Sequence, residues 1–215
     1  MNFLRRRVMV SKVAAEGYVD LGLPSGLLWA TCNLGARQPT DAGLYFSWAN
    51  VDGHVPGDGY NFGNTTIGLP YSGTNGYNAK NYLSADNSFS PDSGYDAARY
   101  NLGGSWRMPT NTEILELYDN TTWQYTSVNG VNGILHTSTI NGNTIFFPIT
   151  GYIENTSLIV GQLVYLWSST LHYKGNINTQ NQAYIYLYGN NTVNRGEHSL
   201  VYYGFPIRPV YDPSL

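Results

Sequence analysis

Turn signals punctuate this chain so closely that no long regular element fits between them. Asn129-Gly130, Asn132-Gly133 and Asn141-Gly142-Asn143 fall within a single stretch of the second half. Asn-Gly pairs favour the positive-φ turns of β-hairpins, so the segments between them read as short strands. These run from Ile140 to Phe147, Tyr165 to Thr170, Ala183 to Tyr188 and Phe205 to Val210. Near the start, Tyr18 to Leu23 and Leu27 to Thr31 flank Pro24-Ser25-Gly26 and predict a hairpin. Two short helices are expected. Thr110-Asn111-Thr112-Glu113 reads as a capping box, with Ile114, Leu117 and Tyr118 on one face behind it and an end near Asn120. The other runs from Tyr95 to Leu102 and stops at Gly103-Gly104. The expected class is α+β, with two short helices, mixed or antiparallel short strands and long ordered loops.

From Gly53 to Ser93 the chain is dense in Gly, Asn, Ser and Asp, without apolar periodicity. Tyr60, Phe62, Tyr71, Tyr77, Tyr82 and Phe89 recur through it. Disordered segments are poor in aromatics, so this reads as a long ordered loop pinned by rings. Residues 1–16 show neither periodicity nor turn chemistry and are expected to form an exposed arm. Residues 17–215 then form one domain.

Charged residues make up 12% of the chain and aromatics 14%, with a net charge of -3. Nucleic-acid binding needs many Lys and Arg contacts, which such a surface lacks outside Arg5-Arg6-Arg7. No apolar run approaches the ~18 residues of a membrane span. The single cysteine, Cys32, excludes an internal disulfide and reads as a buried small hydrophobe. His54, His136, His172 and His198 show no metal-ligand spacing, and no nucleophile elbow or phosphate loop is present. Glu113 and Glu116 read as a solvated helix face. The chain is therefore expected to be non-enzymatic, with no cofactor. A structural calcium on Asp86, Asp92 and Asp96 stays open without a motif to support it. Trp29, Trp48, Trp106 and Trp167 read as core, and Arg107 and Arg208 as structural arginines.

Five stretches follow one another in a recognisable order: Tyr18 to Ala30, Gly43 to Trp48, Gly103-Gly104-Ser105-Trp106-Arg107-Met108-Pro109-Thr110, Trp167-Ser168-Ser169-Thr170 and Gly204 to Val210. Together they resemble the lectin-like domains of gut bacteria and their phages, related to formylglycine-generating enzymes. The resemblance implies a C-type-lectin-like fold over roughly residues 18–211. The paired cysteines of the enzymes are missing, as are the triplets of calcium-dependent sugar binding. The C-terminal layout also resembles the variable proteins of diversity-generating retroelements, whose rewritten segment lies between a Trp-Ser-Ser-like strand and a Gly-x-x-Arg-Pro-like strand. Here that interval is 171–203. It holds His172, Tyr173, Asn176, Asn178, Asn181, Tyr184, Tyr186, Tyr188, Asn190, Asn191, Asn194, His198, Tyr202 and Tyr203. A fixed lectin-like domain has a similar composition, so both readings stand.

Tyr gives large contact area at little entropic cost and Asn gives adaptable hydrogen bonds, so the interval suits a binding face. Tyr184, Tyr186 and Tyr188 are expected on the exposed face of a strand whose other face, Ala183, Ile185 and Leu187, is core. The function implied is recognition of a host cell-surface protein or glycan by a phage tail-tip protein. Its arm would contact other virion proteins, and it would self-associate, with a trimer the natural form. The alternative is an adhesin displayed on a bacterial surface.

Overall fold

A computed structural model describes residues 17–63, 83–90, 93–173, 182–189 and 192–215. The expected arm, Asp92, Tyr71, Tyr77 and Tyr82 lie outside these residues, as do Asn176, Asn178, Asn181, Asn190 and Asn191. Of the loop aromatics inside them, Phe62 and Phe89 are buried and Tyr60 half-buried.

The expected N-terminal hairpin forms from β1 (Tyr18–Asp20) and β2 (Leu28–Ala30), with Tyr18 opposite Ala30. Two further short strands, β3 (Trp106–Arg107) and β13 (Val210–Tyr211), complete a sheet in the order β1-β2-β13-β3. The strand expected over Phe205 to Val210 narrows to β13 because Pro206 and Pro209 have no N–H to give a ladder. Their carbonyls still tie the segment in, accepting from the Trp167 and Ala30 amides.

Asp96 caps the first helix, α1 (Ala97–Leu102), by accepting from the Arg99 amide, so the helix starts later than Tyr95. It ends at Gly103, where φ is 72°. The second, α2 (Asn111–Asp119), carries the full Thr110–Glu113 capping box and buries Ile114, Leu117 and Tyr118. Neither glutamate on it forms the expected solvated face. Glu113 also pairs with Arg107 at 2.6 Å, and Arg107 reaches Asp212 at 2.9 Å. Glu116 accepts from the Ser25 amide and hydroxyl.

The chain then turns over to strands. An antiparallel meander comprises β4 (Thr121–Val128), β5 (Val131–Ser138) and β6 (Thr144–Pro148). Asn129-Gly130 makes its first turn with φ of 50° and 82°. Asn132-Gly133 is no turn: it lies inside β5, where a Cβ on Gly133 would come within 2.4 Å of the Phe146 ring and the Phe147 carbonyl. Likewise Asn141-Gly142-Asn143 is the turn before β6 rather than part of it. A hairpin that the turn signals did not reveal follows, β7 (Tyr152–Glu154) with β8 (Ser157–Ile159). The last sheet centres on β10 (Gln182–Gly189). It pairs with the long β9 (Leu163–Tyr173) and with both β11 (Thr192–Asn194) and β12 (His198–Leu200).

Strand makes up 38% of the structure and helix 9%, in several small antiparallel sheets. The α+β expectation is therefore overturned in favour of an all-β fold. Two helices of 6 and 9 residues are too short to form a layer of their own.

Two hydrophobic cores lie on either side of the β9–β10 ribbon. Trp167, Leu171 and Ile185 belong to one, with Trp48, Phe46 and Phe205; Val164, Leu166 and Tyr186 belong to the other, with Trp29, Leu117 and Phe147. Trp29, Trp48 and Trp167 are core as expected, and Cys32 is buried. Trp106 is only half-buried, meeting the Tyr211 ring edge-on at 5.3 Å, because β3 lies at the edge of its sheet. The two central indoles lock to each other's segments: Trp48 Nε1 donates to the Ser168 carbonyl and Trp167 Nε1 to the Phe46 carbonyl.

Arg208 is fully buried. Its Nε donates to Asn33 Oδ1, and its two terminal nitrogens donate to the Ala30, Thr31 and Phe146 carbonyls at 2.9–3.1 Å. The guanidinium lies 4.7 Å above the Phe147 ring. Burial pulls its pKa down to about 10, so it remains a cation at neutral pH. Replacing it with Met strands three carbonyls and removes the tie between β2, β6 and the C-terminal segment. Arg208→Met should cost about 3–5 kcal/mol in denaturant unfolding. Arg208→Lys should recover little of this, since an ammonium cannot span the same fork.

His136 is equally buried, between Thr121 Oγ1 and Tyr186 Oη at 2.7 Å each. Burial drops its pKa from 6.5 to about 3. Between those values the unfolded chain holds a proton that the folded chain refuses, so stability is full above pH 6.5 and falls as pH drops toward 3. The expected slope is about 1.4 kcal/mol per pH unit from this group. Chemical unfolding of wild type and His136→Gln between pH 7 and 4.5 checks it: the variant should lose that slope.

Candidate functional site

The residues expected to bind divide into three groups by where β9, β10 and β12 carry them. His172 on β9 and His198 on β12 flank β10 from opposite sides, yet their rings stack at 3.9 Å with 18° between planes. His172 is exposed and His198 half-buried. Desolvation and the neighbouring His198 hold the His172 pKa below its ordinary value, since two imidazolium rings in face contact repel. Histidines scattered in sequence thus become a pair. Stacked rings aim their in-plane nitrogen lone pairs past one another, a poor geometry for gripping one ion. Among the described residues, no three His, Cys, Asp or Glu side chains are grouped to hold a metal. Asp96 spends its carboxylate on the Arg99 and Met108 amides, and Asp86 accepts from Ser88.

The second group is Tyr202 and Tyr203, just after β12. Tyr203 joins Tyr152 of β7 and Tyr165 of β9, with Tyr152 lying 5.6 Å from Tyr203 and 5.0 Å from Tyr165. All three rings surround Phe205, a buried floor 5.4–6.1 Å from each. Tyr202 meets Tyr203 edge-on at 4.9 Å. In the β7–β8 ladder Tyr152 is opposite Ile159 and Glu154 opposite Ser157, which sets Tyr152 and Glu154 on one face. The Tyr203 hydroxyl donates to Glu154 Oε1 at 3.2 Å. Desolvation, then Tyr202 and Glu154, push the Tyr203 phenol up to about 12, so it stays a donor at neutral pH.

Sequence reasoning missed Tyr152, Glu154 and Tyr165, which lie before the interval 171–203. Glu154-Asn155-Thr156-Ser157 between two apolar pairs was the available hairpin signal; Asn155 supplies the positive φ, 54°.

The third group is β10 itself. Tyr186 is a core residue, 1% exposed, bonded to His136 and stacked on Phe147 at 4.9 Å. The expected exposed tyrosine face fails there, because β10 has a core on both sides and Ile185 and Tyr186 are both buried. The backbone places Tyr184 opposite His198, Tyr188 between Val164 and Val193, Tyr173 opposite Gln182 and Asn194 opposite Leu187.

Comparison with protein-family models, curated proteins and solved structures finds no match to this chain. The site's chemistry must be read from its own groups. It offers ring faces, phenol donors, one carboxylate and an imidazole pair. Elsewhere, His54 Nδ1 lies 2.9 Å from Asp58 and its ring stacks on Tyr60, but Nε2 is buried without a hydrogen-bond partner among the described residues.

The division between core and surface is measurable. Tyr186→Phe should lose about 1–2 kcal/mol by leaving His136 Nε2 unsatisfied. His198→Ala should change unfolding by no more than about 0.5 kcal/mol. Urea titrations of both variants check the assignment.

Proposed function

We propose that this chain is a non-enzymatic recognition protein that engages a host cell-surface receptor through the face carrying His172, His198, Tyr202 and Tyr203, widened by Tyr152 and Tyr165. The observation that carries the reading is the gathering of Tyr152, Tyr165 and Tyr203 around buried Phe205. Rings from three separate segments, backed by a fixed floor, lose little freedom on binding, which is what a recognition surface needs. The Tyr- and Asn-rich composition of 171–203 and its resemblance to retroelement-diversified proteins support a phage tail-tip role, in which this interval is rewritten to change host.

Binding of fluorescently labelled protein to host cells tests the reading. The combined variant His172→Ala, His198→Ala, Tyr202→Ser should keep its unfolding midpoint within a few degrees and bind cells roughly ten-fold more weakly. Undiminished binding would place recognition elsewhere. Tail genes and a reverse transcriptase beside the coding locus would favour the phage role; a secretion or pilus cluster would favour a bacterial adhesin.

A further inference from the structure

Glu154 is the carboxylate that lies at the tyrosine cluster. Glu113 and Asp212 hold Arg107, Asp119 holds Arg195, Asp58 holds His54, and Asp96 caps α1. Glu154 is half-buried, accepts from the Tyr203 hydroxyl, and has no basic partner among the described residues. None of the described arginines pairs with Glu154: Arg208 is in the core, Arg107 and Arg195 hold other carboxylates, Arg99 bonds to the Gly104 carbonyl, and Arg37 is exposed.

A negative group beside ring faces creates a potential that favours a cation. The mutual orientation of the rings sharpens the choice of ligand. Tyr152 is tilted 59° from Tyr165 and 44° from Tyr203. A sugar ring stacks best on one flat platform, whereas inclined faces suit a rounded group approached from several sides. Tyr202, edge-on to Tyr203 at 80°, adds a fourth inclination.

Resting on the recognition reading above, we infer that Tyr152, Tyr165, Tyr203 and Glu154 form a subsite for a cationic group of the partner, an alkylammonium such as a lysine side chain. The ammonium sits against the ring faces, and Glu154 supplies the opposite charge through the oxygen that Tyr203 does not use. The partner surface engaged is then a basic patch of a protein. A site built this way gains from electrostatic attraction on approach and weakens in salt.

Choline and 3,3-dimethylbutan-1-ol have the same shape and differ by the charge. Titration of the full chain with each, followed by tyrosine ring NMR shifts, should give saturable choline binding and roughly ten-fold weaker binding of the neutral alcohol. Glu154→Gln, which keeps an acceptor for Tyr203, should remove most of that discrimination with an unchanged unfolding midpoint. Tyr165→Phe should keep choline binding, and Tyr165→Leu should lose it. Equal binding of the two probes would overturn the inference in favour of a simple apolar patch. Binding of methyl glucoside without choline would overturn it in favour of a glycan, and shifts from none of the three would remove the subsite. Host-cell binding separates the two readings. Wild type and Glu154→Gln binding cells equally would sink the cation subsite alone, while a wild type that binds no cells but discriminates choline would sink the receptor reading alone.

Discussion

A single buried cation organises this molecule. Arg208 has no carboxylate partner in its hydrogen-bond set; it is held by one amide oxygen, three main-chain carbonyls and the face of Phe147. Desolvating a guanidinium is expensive, and the arrangement is tolerable only because nearly every donor finds a partner. Those partners come from the end of β2, from the loop at Asn33 and from β6. The N-terminal hairpin, the meander and the C-terminal segment therefore cannot drift independently, and the sheet β1-β2-β13-β3 inherits its register from that fixed point.

The second organising feature is the β9–β10 ribbon, which works as a partition. With Trp167 and Ile185 on one side and Leu166 and Tyr186 on the other, it has no solvent face along its middle. The side chains we propose for recognition are displaced to where the ribbon ends or its neighbours begin. His172, His198, Tyr202 and Tyr203 occupy those margins, and β7 brings Tyr152 and Glu154 up to them. These groups thus rest against a buried core, the usual requirement for a surface that must present side chains without reordering.

Much of the scaffold was legible because its signals are local. The capping box at Thr110, the glycine stop of α1, the β1–β2 hairpin and the apolar setting of three tryptophans depend on neighbours a few residues away. What misled were features decided at long range. The Tyr184, Tyr186, Tyr188 alternation looks half-exposed by period alone, yet a second core from α2, β5 and β6 covers Tyr186, 50 residues from its partner His136. Asn132-Gly133 has turn chemistry, but the glycine is there for the close approach of Phe146. The class was misjudged because two well-signalled helices weigh more on the page than in the structure. The aromatic site was half legible: Tyr202 and Tyr203 stood in the candidate interval, while Tyr152, Glu154 and Tyr165 join them only through tertiary packing.

The closing position of β13 has a consequence for how the chain is made. Arg208 meets Ala30 across 178 residues, and β2 finds its second neighbour only in Val210 and Tyr211. A ribosome delivers β1 and β2 long before either partner exists, so the first hairpin waits with an unpaired edge and an unfilled socket of carbonyls. Contacts this distant in sequence slow folding and lengthen the exposure of apolar surface. Acquisition of the native state is therefore deferred until residues 205–211 have emerged, when Arg208 can at last draw the ends of β2 and β6 together.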